Sequence, residues 1–192
     1  MDVRKALLFS CVVLSGINIT EAFAADRPLF AAFKQFCADT QAKPEAVKAA
    51  ALAFSNKKVA SATTNKKAPV SATGNSWGLM FQGHHLTVTA GKLHAPAVAN
   101  MPASDSITCA ITDSDGDNAG ATEIAKWTGV PANAEVKGVF GTYTYQDKNG
   151  ARIAVNAPDK AVKEPEGVWN LTLSQIGQLT AVNLAHVTAA SQ

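Results

Sequence analysis

The chain has 192 residues, of which 47% are hydrophobic and 17% charged, and its formal net charge is +2. This length fits one domain that can bury a core, and the apolar content excludes a disordered chain. The composition also excludes collagen, coiled-coil and polytopic membrane proteins, and so small a net charge gives no argument for a nucleic-acid partner.

The N-terminus has the layout of a secretory signal peptide. Arg4 and Lys5 precede a mostly apolar stretch at residues 6–19, and an A-x-A sequence ends at Ala24. We therefore predict a signal peptide over residues 1–24 and a single mature domain over residues 25–192, located in the periplasm or secreted. No transmembrane segment is expected in the mature chain, because its apolar stretches are too short.

The first part of the mature chain predicts two helices and a loop. Apolar residues at helical spacing indicate one helix over residues 27–40 and a second over residues 44–54. Residues 55–75 contain two similar copies of an N-K-K…S-A-T sequence, made of small, polar and cationic residues without an amphipathic period. This composition predicts a mobile Lys-rich loop.

The remaining sequence has the two-residue period of strands. One helix interrupts it, predicted over residues 119–128 and capped by Asp117 or Asn118. Strands are predicted over residues 77–82, 85–91, 106–112, 135–145, 152–155, 168–174 and 178–187. Short connections and about six or seven strands predict an α+β fold with a mostly antiparallel sheet and the N-terminal helices packed on one face.

The cysteines predict one disulfide. Loss of the signal peptide leaves two of the three cysteines, Cys37 and Cys109. In an exported protein, two cysteines most simply form a disulfide. Cys37 lies on the apolar stripe of the first helix, and Cys109 shares a strand face with Ile107 and Ile111. The bond would therefore attach the first helix to the sheet.

A short motif raises the alternative of a serine hydrolase. Gly74-Asn75-Ser76-Trp77-Gly78 matches the G-x-S-x-G turn that exposes the nucleophile of α/β-hydrolases, and His186 follows downstream as a candidate base. In those enzymes a strand precedes the motif and a helix follows it. Here a polar segment precedes the motif and a strand follows it. A turn that leads into a strand therefore also explains the two glycines.

An acidic segment raises a second alternative, a calcium-dependent module. Asp113, Asp115 and Asp117 occupy alternate positions, as carboxylates do at the start of a calcium loop. The match then fails, because Asn118 stands at the sixth position and Ile124 at the twelfth. The other interpretation is an exposed acidic turn whose last residues cap the next helix.

The histidines give a weaker metal signal. His84, His85 and His94 lie close in sequence, but adjacent strand residues point to opposite faces and no third zinc ligand is evident. We expect them at the surface or at a sheet edge. His186 shares its alternation with Val182 and is expected at the edge of the core.

The segment Phe33-Lys34-Gln35-Phe36-Cys37-Ala38-Asp39-Thr40 follows the predicted signal peptide and precedes an Ala-rich helix. It resembles small exported proteins of Gram-negative bacteria, particularly alphaproteobacteria, that carry an F-x-x-x-C-x-x-T helix. The resemblance implies a periplasmic location and transfers no catalytic residue.

These observations favour a non-enzymatic binding or accessory protein of the cell envelope. Its expected partner is a protein or a small molecule, and no cofactor is expected apart from the calcium of the second alternative. Charge is unevenly distributed: residues 25–92 carry nine basic and three acidic groups, and residues 93–192 carry six and ten. The two parts therefore attract each other or present opposite charge to partners.

Overall fold

The computed structural model describes residues 27–54, 58–63, 71–99, 101–136 and 139–190. The predicted signal peptide, residues 1–24, lies outside this part of the chain. The helices are α1 (Pro28–Ala32), which continues as a π-helical segment (Phe33–Ala38), α2 (Pro44–Leu52), α3 (Asn118–Thr128) and α4 (Pro158–Ala161). None of these helices is long and apolar enough to cross a membrane.

Nine strands of the described chain form one antiparallel sheet. They are β1 (Lys58–Thr63), β2 (Ser71–Phe81), β3 (His84–Ala95), β4 (Ser104–Asp113), β5 (Ala134–Val136), β6 (Val139–Lys148), β7 (Ala151–Ala154), β8 (Val168–Ile176) and β9 (Leu179–Ala189). The spatial order is β1-β2-β3-β4-β9-β8-β6-β5, with β7 also paired to β6. The predicted antiparallel α+β fold is confirmed.

Two strands more than the sequence predicts are present, for two reasons. The segment predicted over residues 135–145 is divided into β5 and β6. In addition, residues 58–63 and 71–75, which the sequence predicts as part of the mobile loop, form β1 and the start of β2. Each copy contains Val and Thr, which strands favour, as Val59 and Thr63 in the first and Thr73 in the second show. The rest of the predicted loop lies outside the described residues.

One face of the sheet carries most of the core. Because side chains alternate between faces, register partners form rows across the strands. One such row runs Trp77–Val88–Ile111–Val182–Leu173, and the next runs through Ala90–Cys109–Leu184–Leu171–Tyr143. All of these side chains are buried. The π-helical segment lays Phe33, Phe36 and Cys37 onto them.

The predicted disulfide is confirmed and joins the two layers. Cys37 in the π-helical segment is bonded to Cys109 in β4, with their Cα atoms 5.4 Å apart and a sequence separation of 72 residues. Both residues are fully buried. The bond therefore attaches the helical layer to the centre of the sheet, as their positions on apolar faces predict.

The opposite face of the sheet is mainly polar. It carries Thr89, Ala110, Asn183 and Thr172 in one row across four strands. In the part of the chain that the structure describes, a second small core lies at its β8–β9 end, where Ala161 and Val162 pack with Val168 and Val187. Because one face of the sheet is apolar and the other mainly polar, the sequence of each strand alternates between apolar and polar residues.

Candidate functional site

One buried carboxylate determines where the helical layer begins. Asp117 precedes α3, and its Oδ1 accepts a hydrogen bond from the backbone N–H of Gly120 at 2.8 Å. Its Oδ2 accepts another from the backbone N–H of Leu29, in the first turn of α1, at 3.3 Å. Because one side chain satisfies the free N–H groups of two helices, both helices begin at the end of the sheet where β4 finishes.

The helices leave the other end of the same face uncovered. Next to the disulfide row lies a row formed by Thr73, Lys92, Ile107 and His186, followed by an outer row with His94, Asp105 and Thr188. None of these residues is fully buried. Together with Leu93 and Ser106 they line a cavity of about 480 Å³. We call this cavity the groove.

Three contacts hold side chains of the groove in place. His94 Nδ1 lies 2.8 Å from Asp105 Oδ1, on the strand position directly opposite. The ring of His186 stacks on the indole of Trp169, with ring centroids 4.4 Å apart, and its Nε2 lies 2.8 Å from the carbonyl oxygen of Glu166. A carbonyl oxygen only accepts, so Nε2 carries the proton and donates it.

The row that contains Lys92 and His186 continues through Trp169 on β8 to Tyr145 on β6. It ends there in a cluster of aromatic and cationic side chains. The guanidinium of Arg152 lies 3.5 Å from the ring centroid of Trp127 and 5.5 Å from that of Tyr145, and it donates a hydrogen bond to the carbonyl oxygen of Trp127. Burial raises the pKa of Tyr145 to about 12. A small cavity of about 120 Å³ lies here, and Trp127, Tyr145, Arg152 and Trp169 are among the residues that line it.

At the opposite end of β3 and β4, one histidine and two aspartates meet. His84 Nδ1 lies 2.9 Å from Asp113 Oδ2, and one oxygen of Asp115 completes a group whose ligand atoms all lie within 4.8 Å of one another. Asp113 is fully buried, whereas the side chain of His84 is 25% exposed and that of Asp115 is 42% exposed. We call these three residues the His–Asp cluster.

Backbone hydrogen bonds position the carboxylates of this cluster. Asp113 Oδ1 accepts from the backbone N–H of Asp115 at 2.9 Å. Asp115 Oδ2 accepts from the backbone N–H of His85 at 2.6 Å and lies 3.2 Å from His85 Nδ1. The hydrogen bond from the His85 backbone is the main reason that the pKa of Asp115 is lowered.

The structure brings together only two of the three aspartates of the predicted calcium loop. Asp113 and Asp115 lie side by side, but both oxygens of Asp117 accept N–H groups at the starts of α1 and α3. The capping role that the sequence offers as the other interpretation of this segment is thus observed. A calcium ion at Asp113, Asp115 and Asp117 stays a prediction.

Ser76 and His186 do not come together. The motif lies inside β2, where the Ser76 hydroxyl is 2.8 Å from that of Thr89. Tracing the register from Ser76 through β3 and β4 leads to Asn183 on β9. His186 is three residues further along β9 and so points to the other face. Neither residue has the other as a hydrogen-bond partner.

Sequence reasoning missed the His–Asp cluster because its members are 29 residues apart. His84 and the Asp113–Asp115 segment were each identified as candidates, but for separate sites. The register of β3 against β4 brings them together. The alternation of apolar and polar residues in each strand can be recognised in the sequence, but the pairing register between strands cannot.

Comparison of the chain with protein-family models, with curated proteins and with solved structures found no match.

Proposed function

We propose that the protein is a non-enzymatic binding protein of the cell envelope that holds a small organic anion in the groove. The observation that carries this proposal is the cavity of about 480 Å³ on the helix-covered face, beyond the disulfide row. Cavities of a few hundred Å³ with an apolar floor and a few fixed polar groups are the usual form of small-molecule sites.

The charges of the groove favour an anion. Lys92 makes no ion pair with any described residue, so its ammonium is available to a ligand. Asp105, the one carboxylate among the described residues that line the groove, is already paired with His94. The Lys92 ammonium therefore attracts the negative head of a ligand, while Ile107, its register partner on the same face, contacts an apolar body.

The proposed location rests on the predicted signal peptide and on the Cys37–Cys109 bond. Disulfides persist in oxidising compartments such as the periplasm and the extracellular space. The separation of Ser76 from His186 weighs against the hydrolase alternative, because a serine nucleophile needs its base within hydrogen-bond reach.

The experiment compares two probes that share an apolar body and differ in head charge, hexanoate and hexylamine. Because a ligand bound only by the folded state raises the thermal midpoint, hexanoate should raise it in a concentration-dependent way and hexylamine should not. An equal rise with both probes, or no rise with hexanoate, would contradict the proposal.

Variants then locate the site. Lys92→Gln removes the ammonium of the groove and should abolish most of the hexanoate effect. The matched control is Lys126→Gln, in the exposed last turn of α3, which should keep the full effect. If Lys126→Gln weakens the hexanoate effect as much as Lys92→Gln does, the anion is held by general surface charge and the groove is not its site.

A further inference from the structure

We propose that the His–Asp cluster, formed by His84, Asp113 and Asp115, binds a first-row divalent transition metal such as Zn²⁺. This site is separate from the groove, since the two lie at opposite ends of β3 and β4. The result of testing one therefore leaves the other undecided.

The spacing of the donor atoms suits a metal ion. His84 Nδ1 and Asp113 Oδ2 are 2.9 Å apart, and all three donor atoms lie within 4.8 Å of one another. Two ligands that each bind zinc at roughly 2.0–2.2 Å are about 3.0–3.5 Å apart, the longer separation in tetrahedral geometry, so a small shift of the His84 and Asp113 side chains would admit the ion. An ion would thus replace the proton that Nδ1 now shares with Oδ2, and that proton would move to Nε2.

The elements that carry the ligands hold them in place. Asp113 is the last residue of β4, is fully buried and is fixed by the backbone N–H of Asp115. His84 is the first residue of β3 and is three-quarters covered. Asp115 is more exposed, so one side of the cluster is open to solvent for an ion to enter and for water to complete the coordination.

The ligand types determine which metal fits. One imidazole nitrogen with two carboxylates suits zinc and its first-row neighbours, whereas calcium takes six to eight oxygen ligands. The cluster offers fewer oxygens than calcium needs and adds a nitrogen that calcium does not favour. The metal expected here therefore differs from the calcium that the acidic sequence pattern suggests.

The chain contains a matched control for this proposal. His94 and Asp105 form a similar pair, 2.8 Å apart, on the same two strands. No third ligand joins this pair among the described residues. The His94 side chain is 50% exposed and that of His84 is 25% exposed. If zinc bound to any exposed histidine, the loss of His94 would therefore weaken binding at least as much as the loss of His84.

The experiment is isothermal titration calorimetry of the untagged, oxidised protein with ZnCl₂ and separately with CaCl₂. Wild type and His94→Ala should each bind one Zn²⁺ per chain, and both should bind Ca²⁺ more weakly. His84→Ala should bind Zn²⁺ at least about tenfold more weakly. Asp115→Asn should also weaken binding, and its partly exposed position makes it the variant best suited to keep the fold.

Three results would overturn the proposal: no zinc binding by the wild type, equal binding by His84→Ala, or tighter binding of calcium than of zinc. Circular dichroism of each variant shows whether it is folded. If His84→Ala is unfolded, Asp115→Asn decides alone, and unchanged zinc affinity in that variant counts against the site.

Discussion

Strands β3 and β4 carry a His–Asp pair at each end, and the two pairs differ in burial. Asp113, paired with His84, is fully buried, whereas Asp105, paired with His94, is 53% exposed. The two distances are almost the same, 2.9 Å and 2.8 Å. The residue types thus do not decide the environment. The helical layer does, because Asp117 starts α1 and α3 beside Asp113 and the layer ends at the disulfide row.

The comparison also separates two kinds of candidate site on one face. At the covered end, hydrogen bonds from backbone N–H groups hold two carboxylates close to a histidine. At the uncovered end, the side chains line a wide groove and one lysine remains unpaired with any described acid. The first arrangement suits a small cation with fixed ligands, and the second suits a larger organic molecule.

The largest expected effect comes from the disulfide, which attaches the helices midway between the two ends. The double variant Cys37→Ala/Cys109→Ala should lose about 4 kcal/mol of unfolding free energy, because the open chain of the variant has more freedom when unfolded. Denaturant unfolding measures this loss. Hydrogen exchange should show the π-helical segment losing protection before β4 does. An unchanged unfolding midpoint would mean that packing alone holds the layers together.

A smaller effect tests the two His–Asp pairs directly. Asp113→Ala leaves the partly buried N–H of Asp115 and the ring of His84 without their acceptor, which should cost ~2 kcal/mol. Asp105→Ala removes an exposed partner and should cost under ~1 kcal/mol. Both unfolding free energies are measured with a chelator present, so that bound metal does not contribute. Equal losses of unfolding free energy in the two variants would show that burial does not distinguish the two His–Asp pairs.

The smallest effect concerns Tyr145, at the far end of the row that includes the groove. Burial raises its pKa to about 12 from 10.0, so the folded state disfavours its ionisation. This contribution to stability is fully present below about pH 10 and is lost as the pH rises through about 12. Near pH 10.5 the loss should be ~0.8 kcal/mol.

The measurement compares wild type with Tyr145→Phe. The variant has no phenol to ionise, so the difference between their unfolding free energies should change between pH ~8 and pH ~10.5 by the stated amount. Other titrating groups are common to both chains and cancel. A difference that does not change with pH would show that Tyr145 is open to water, and that the uncovered region extends along the whole row.

Much of the fold could be predicted from local sequence. Helix α3 begins and ends where Asp117 and Gly129 predict, and Gly129 has the left-handed backbone, φ 70°, that such a helix end requires. The strand alternation and the pairing of Cys37 with Cys109 were also legible. Each of these features depends on residues within one turn or one strand, or on an even number of cysteines.

The uncovered end of the sheet and the His–Asp cluster depended on tertiary structure. Both follow from the register of β3 against β4 and from the place where α1 and α3 dock, which bring together residues far apart in the chain. A sequence shows which face of a strand is apolar, but the rows of a sheet arise from pairing between strands. The sequence by itself thus determined the elements and the candidate residues, and the packing of helices on the sheet decided which of those residues meet.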